Sequence, residues 1–211
     1  QAQIVQRFEA HVRREGDRLV MGEGAGSIEL AAFETRPRKT LRAVVLKLLK
    51  AAENVAAPIY DHIGVRIVTR HRYGCLRVIH YLERHDVVTF ANIVPTRTRN
   101  SLIDLHWIRA VEEGLRRAGQ DPEEREATLR RVLEAHARGA GVHTQYNPES
   151  ADEYRAIQFT GRELVRARTP DGGHRRVFQP YEVQVLDAAA HRRNGEGISS
   201  HRAYKARQLE V

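Results

Sequence analysis

The chain has 211 residues, enough for one domain or one domain with a small appendage, and at 41% hydrophobic and 29% charged it can form a packed core. Lys and Arg total 35 against 27 Asp and Glu, a net charge of +8 that favours phosphate-bearing partners, nucleotide or nucleic acid. No apolar run approaches the ~20 residues of a bilayer span, Gln1–Glu9 lacks the apolar stretch of a signal peptide, and the lone Cys75 excludes a disulfide framework or a cysteine-based zinc cluster.

The expectation is therefore a cytoplasmic protein with no membrane partner. Lysine occurs only as Lys39, Lys47, Lys50 and Lys205, so nearly all the positive charge is arginine. Guanidinium groups grip phosphate bidentately and stack on bases; a coding preference for arginine would leave the same composition.

In chain order, Gln3–Arg18 reads as an amphipathic helix through Ile4, Phe8 and Val12. Gly22–Gly26 is a flexible break, and no Gly-Lys-Ser/Thr follows to make it a P-loop. A helix from about Thr40 to Asn54 carries the stripe Leu41, Val44, Val45, Leu48 and Leu49. Pro58–Thr69 is rich in β-branched residues and predicts a strand. Gly74–Arg84 predicts a helix, Asp86–Val94 a second strand, and Thr96–Asn100 a basic loop.

Two helices follow, about Leu102–Ala118 and Pro122–Arg138. Asp121, Pro122 and Glu124 form the start signal of the second, whose charged residues suit a solvated face. Gly139–Asp152 reads as loop. Ala156–Arg166 and Arg175–Leu186 predict a hairpin across the turn-forming Thr169–Gly173, and Ser199–Glu210 a closing helix. Trp107, Tyr60 and Phe90 read as core residues. Strands and helices are mixed rather than alternating, which predicts an α+β fold with a mixed sheet flanked by helices.

Two acids stand on otherwise apolar strands, Asp61 and Glu182. Burying such carboxylates is costly unless they are paired or bind metal; exposure at a strand end explains Asp61 equally well, and a salt bridge explains Glu182. Glu182 and Gln184 share one sheet face while Tyr181, Val183 and Val185 share the other, a polar floor with an apolar back. Asp61 and Arg66 have opposite parity, so serving one site requires the strand to begin after Asp61 or to kink, for which Gly64 is suited. His85-Asp86 lacks the further ligands of a metal-dependent phosphohydrolase.

Five segments, in order, resemble RelA/SpoT-type alarmone synthetases. Asp61-His62-Ile63-Gly64-Val65-Arg66 is similar to that family's Asp-x-x-Gly-x-Arg strand, Tyr154–Gln158 to its Tyr-Arg-Ser-Leu-His segment, and Glu182-Val183-Gln184 to its Glu-x-Gln strand. Ser200–Lys205 resembles its closing Glu-His…Tyr-Lys helix, and Lys39 and Lys47 match the spacing of two phosphate-binding lysines. The resemblance implies a nucleotidyltransferase-like fold over residues 1–211, with a helical insertion at about 102–138. It implies Mg²⁺-dependent transfer of pyrophosphate from ATP to the 3′-hydroxyl of a nucleotide such as GDP or GTP.

On the same resemblance Asp61 and Glu182 would hold Mg²⁺ and serve catalysis, and Arg66 would stack on adenine. Lys39 and Lys47 would meet phosphates, Tyr154 would stack on the acceptor base, and Arg155 and Gln184 would complete the nucleotide site. The departures lie on the acceptor side: Ala156 for Ser, Gln158 for His, and Leu186-Asp187 for Arg-Thr. Pro37 also replaces the first arginine of the phosphate-binding helix, and Ser200 a glutamate. These departures leave two alternatives open: transfer to the 3′ end of RNA such as tRNA, and a catalytically silent module that binds nucleotide or RNA.

Overall fold

Seven strands form one mixed sheet in the computed structural model, which describes residues 2–36, 63–136 and 154–195. The strands are β1 (Val12–Glu15), β2 (Arg18–Met21), β3 (Ile28–Arg36), β4 (Gly64–Thr69), β5 (Arg99–Asn100), β6 (Ile157–Arg168) and β7 (His174–Asp187). Their spatial order is β1-β2-β3-β4-β7-β6-β5, antiparallel throughout except for the parallel pair β4–β7. Five helices accompany them among the described residues: α1 (Ala2–Glu9), α2 (Arg72–Arg84), α3 (Leu105–Arg117), α4 (Pro122–Ala135) and α5 (Ala188–Gly195). The fold is α+β with a mixed sheet, as the mixture of patterns predicts. No described helix is long and apolar enough to cross a membrane.

The predicted first helix is half as long as expected. It buries Ile4 and Phe8 and stops at Glu9, because Val12–Met21 folds back as a hairpin with Glu15 opposite Arg18. The two-residue loop between them is Gly16-Asp17, and Gly16 has φ +60°, which suits glycine in such a loop. The strand β3 carries Ile28 and Leu30 inward at alternate positions and was not anticipated.

The predicted strand at Asp86–Val94 is a correction. Val87 and Val88 are buried in succession, but Phe90–Asn92 forms a short 3₁₀ turn and Ile93 makes one isolated bridge to Gly161. The apolar run is buried without a ladder. Phe90 is also no core residue, being 40% exposed, whereas Trp107 is partly buried and stacks on the His136 ring at 3.9 Å. The segments Thr40–Asn54 and Ser199–Glu210, and Tyr60, lie outside the described residues.

The two helices expected after Leu102 are both present, as α3 and α4. Asp104 accepts from the Trp107 amide at 2.9 Å to start α3. Asp121 accepts from the Glu123 and Glu124 amides at 2.8 and 3.0 Å to start α4. The Asn100 side chain takes the amides of Leu102 and Ile103, holding these buried residues in loop conformation before α3 begins. Contrary to a purely solvated α4, Leu129 and Leu133 are buried.

One arginine ties the C-terminal end of α4 to the sheet. Arg72, in the first turn of α2, donates from Nε to Asp187 at 3.1 Å and from its terminal nitrogen to the His136 carbonyl at 2.7 Å. Its amide donates to Glu134 at 2.6 Å. Asp187 also accepts from the Ala190 amide at 2.7 Å, so one carboxylate closes β7 and starts α5. Cys75 lies buried on the same helix, its thiol 3.1 Å from the Thr69 hydroxyl, and burial pushes its pKa up. It is a structural thiol.

On the apolar face Tyr181 is the largest fully buried side chain and meets the Phe8 ring edge-on at 5.9 Å. Its ring lies over Gly161, where an added Cβ would sit 2.6 Å from the phenol carbon and oxygen. Gly161→Ala is expected to cost about 1–3 kcal/mol by overpacking, read as a lower urea midpoint at unchanged m-value.

Candidate active site

A polar row crosses five strands. The ladder registers set Glu34 of β3 beside Arg66 of β4, Arg66 beside Gln184 of β7, Gln184 beside Gln158 of β6, and Gln158 beside Arg99 of β5. Paired residues share a face, so all five lie on the sheet face opposite Tyr181, Val183 and Val185. A second row lies one pleat away and holds Arg36, Gly64, Glu182 and Thr160. The polar floor expected from Glu182 and Gln184 is therefore present, and wider than expected.

Hydrogen bonds lock the row. The Gln184 oxygen accepts from Arg66 Nε and from an Arg66 terminal nitrogen, both at 3.1 Å. The other Arg66 terminal nitrogen donates to Glu34 at 3.1 Å. His191 of α5 approaches the second Glu34 oxygen at 3.6 Å. The guanidinium is thus held along its edges, which leaves the planar faces as its remaining contact surface.

Glu182 is oriented by amides. Its two carboxylate oxygens accept from Gln184 Nε2 at 2.8 Å and Gln158 Nε2 at 2.9 Å. Its backbone amide donates to the Ile63 carbonyl at 2.8 Å, which fixes the entry of β4 against β7. Gln158, which replaces the resembled family's histidine, here aims the carboxylate.

Tyr154 precedes β6, and its hydroxyl donates to Gln184 at 3.3 Å. Burial raises its pKa, opposed by Arg66, Arg36 and Arg99 and aided by Glu182. The phenol therefore stays protonated as a donor across the neutral range. Its carbonyl accepts from the Ser101 hydroxyl at 2.7 Å. Arg155 is clamped through its backbone, its amide donating to Asn194 at 3.0 Å and its carbonyl accepting from Asn194 at 2.9 Å.

The structure brings together Glu182, Gln184, Arg66 and Tyr154, with Arg155 adjacent in sequence. Asp61, Lys39 and Lys47 lie outside the described residues. Reading the sequence missed Glu34, Arg36 and Arg99 as site residues. The signal for Glu34 and Arg36 is their even spacing on β3, which passes unnoticed unless that strand is recognised.

Gly64 has a reason other than a kink. A Cβ there would meet the Arg36 side chain at 3.2 Å, so the glycine makes room for Arg36 to lie across β4. Arg99 adds a further sign of a ligand-binding surface, since its Nε is buried with no hydrogen-bond partner among the described residues. Buried donors are rarely left so, and a ligand oxygen would satisfy this one.

Glu182 offers hard oxygen donors of the kind Mg²⁺ takes. No group of three His, Cys, Asp or Glu side chains placed to hold a metal ion occurs among the described residues.

No protein-family model matches the chain, and no curated protein does. Among solved structures it is similar to small alarmone synthetase 2 from Bacillus subtilis at 13% identity and TM-score 0.40, covering 86% of this chain and 77% of that one. Small alarmone synthetase 1 from Bacillus subtilis aligns at 12% identity and TM-score 0.40 over 86% and 75%, and it has also been solved bound to its product pppGpp. A GTP pyrophosphokinase family protein from Streptococcus pneumoniae aligns at 11% identity and TM-score 0.40 over 85% and 68%. These structures, small alarmone synthetases and a GTP pyrophosphokinase family protein, are what this chain is similar to, at an identity that leaves its site to be argued from its own residues.

Proposed function

We propose that the chain is a Mg²⁺-dependent pyrophosphokinase that transfers the β,γ-pyrophosphate of ATP to the 3′-hydroxyl of a nucleotide such as GDP or GTP. The observation that supports this most is the amide-aimed Glu182 carboxylate on a sheet face shared with Arg66, Arg36 and Arg99. An acid for the metal and several planar cations for phosphate and base are what phosphoryl-group transfer needs from a protein.

In this reading Glu182 and Asp61 would hold Mg²⁺, which would neutralise charge on the transferring phosphates. Asp61 precedes Ile63 by two residues, a span of at most about 7 Å of chain, and the Ile63 carbonyl is bonded to the Glu182 amide. Arg66 presents its face to adenine, and Lys39, Lys47, Arg36 and Arg99 meet phosphate oxygens. The acceptor 3′-oxygen bonds to the β-phosphorus as the bond from that phosphorus to the α–β bridging oxygen breaks. AMP leaves, and the hydroxyl proton passes to a Glu182 oxygen. Tyr154 packs on the acceptor base beside Arg155 and Gln184.

The test is incubation with Mg²⁺ and ATP radiolabelled at the γ-phosphate, offering GDP, GTP, ADP, ATP and bulk tRNA separately. Label on a mononucleotide is the expected result. Label on no acceptor, with Asp61→Asn behaving identically, would leave a non-catalytic binding module. Tyr154→Ala is expected to raise the acceptor KM about tenfold, the value of a lost base stack, with a smaller change for ATP. Equal loss for both substrates would remove the stacking role.

A further inference from the structure

The β6–β7 hairpin runs well beyond the site. From Thr160 opposite Glu182 to Arg166 opposite Arg176 is six residues, or about 20 Å of strand. The register keeps Arg162, Leu164, Arg166, Arg168, His174, Arg176 and Phe178 on the same face as Glu182 and Gln184. All seven are exposed. From Arg162 to Pro180 this face carries no acid. The one strand glutamate of this outer stretch, Glu163, points to the other face and is taken by Arg7 of α1 at 2.8 Å.

In the middle of the strip Leu164 and Phe178 are directly opposed, 46% and 59% exposed. An aromatic ring left in water between arginines is a costly surface for a free-standing hairpin and a ready platform for a base. The outer edge of β6 is closed at Arg166, whose amide and carbonyl both bond the Gln3 side chain, at 3.1 and 2.9 Å. A partner therefore meets the face there, rather than adding a strand to the edge.

We propose that this face is a docking strip for single-stranded RNA, leading its 3′ end to Glu182. The destination of that end rests on the pyrophosphokinase reading; the binding does not. The strip is longer than a mononucleotide needs, and its alternation of arginines with an apolar pair suits a backbone with unstacked bases. A duplex hides the base faces that Phe178 would stack on, and cellular single strands ending in a free 3′-hydroxyl are chiefly RNA.

The test is fluorescence anisotropy of the whole chain with labelled oligouridylate across a salt series. Phe178→Ala is expected to weaken binding about tenfold. Arg166→Ala with Arg176→Ala is expected to lower the slope of log affinity against log salt by about 1.4, two phosphate contacts at about 0.7 each. The corresponding pair of lysine substitutions keeps the slope. Each of these hairpin variants keeps the parent's labelling of a mononucleotide acceptor, which also shows that it folds.

An unchanged slope in the alanine pair overturns the strip, as does oligouridylate binding no tighter than UMP. Equal affinity for the matching DNA oligonucleotide overturns the choice of RNA. Capture by phosphatidylserine-rich vesicles that oligouridylate does not compete away assigns the strip to a membrane surface instead. The parent chain, assayed for both label transfer and oligouridylate binding, separates the two readings. RNA binding with no transfer to any acceptor sinks the enzymatic reading alone, and transfer to GDP with no RNA binding sinks the strip alone.

Discussion

Glu182→Gln is expected to lower the rate of label transfer by at least about a thousandfold, equivalent to about 4 kcal/mol of barrier. The substitution keeps shape and removes charge. One side-chain oxygen can still accept from Gln158 or Gln184, while the new amide nitrogen faces a second donor. That mismatch costs about 1 kcal/mol of stability, far too little to unfold the domain. Initial rates from labelled product, set beside the urea midpoint of the same preparation, separate the two effects. A variant with near-parental rates would remove Glu182 from catalysis. A variant inactive because it is unfolded would show in the midpoint.

The largest stability effect is expected at Arg72. Its side chain and that of Asp187 are 9% and 4% exposed, so Arg72→Ala leaves a carboxylate deep in the fold with one amide donor, Ala190. Breaking a buried pair from one side costs about 3–5 kcal/mol. Arg72 also carries the His136 carbonyl, and His136 stacks on Trp107. The single tryptophan therefore reports the loss directly, by fluorescence in urea. Replacing both partners with apolar residues, Arg72→Met with Asp187→Leu, should recover part of the loss, since no unpaired charge remains. Full additivity of the two single variants would show that the pair is not coupled.

The same pair explains one departure from the resembled family. Asp187 stands where that family has threonine, and a change of substrate was the natural expectation. In this chain Asp187 lies on the opposite face from Glu182 and serves as a helix start and an ion-pair partner. The residue records how the end of α4 is held against the sheet. It does not record which acceptor is used.

What was legible followed local chemistry. The β6–β7 hairpin announced itself through Thr169–Gly173, and α4 through Asp121-Pro122. The parity of Glu182 and Gln184 gave one polar and one apolar face without any tertiary knowledge. The rest depended on pairing. Val12–Glu15 was absorbed into a helix because its one apolar residue falls at helical spacing from Phe8; only Gly16-Asp17 argued otherwise. Val87 and Val88 looked like a strand because burial and ladder pairing leave the same apolar run in a sequence. Arg99 seemed a loop cation, and its place in the site comes from two ladder pairs with β6.

The parallel β4–β7 pair has a kinetic consequence. It joins residues 118 apart, Arg66 and Gln184, whereas β6 and β7 meet across a short turn. Loop closure makes the distant pairing the slow one, so β6–β7 can form early, exposing Phe178 and its arginines, while Arg66 reaches Gln184, and the Ile63 carbonyl the Glu182 amide, late. Acquisition of activity during refolding should therefore lag behind formation of the hairpin, and a chain stalled between the two events would hold RNA without transferring anything to it.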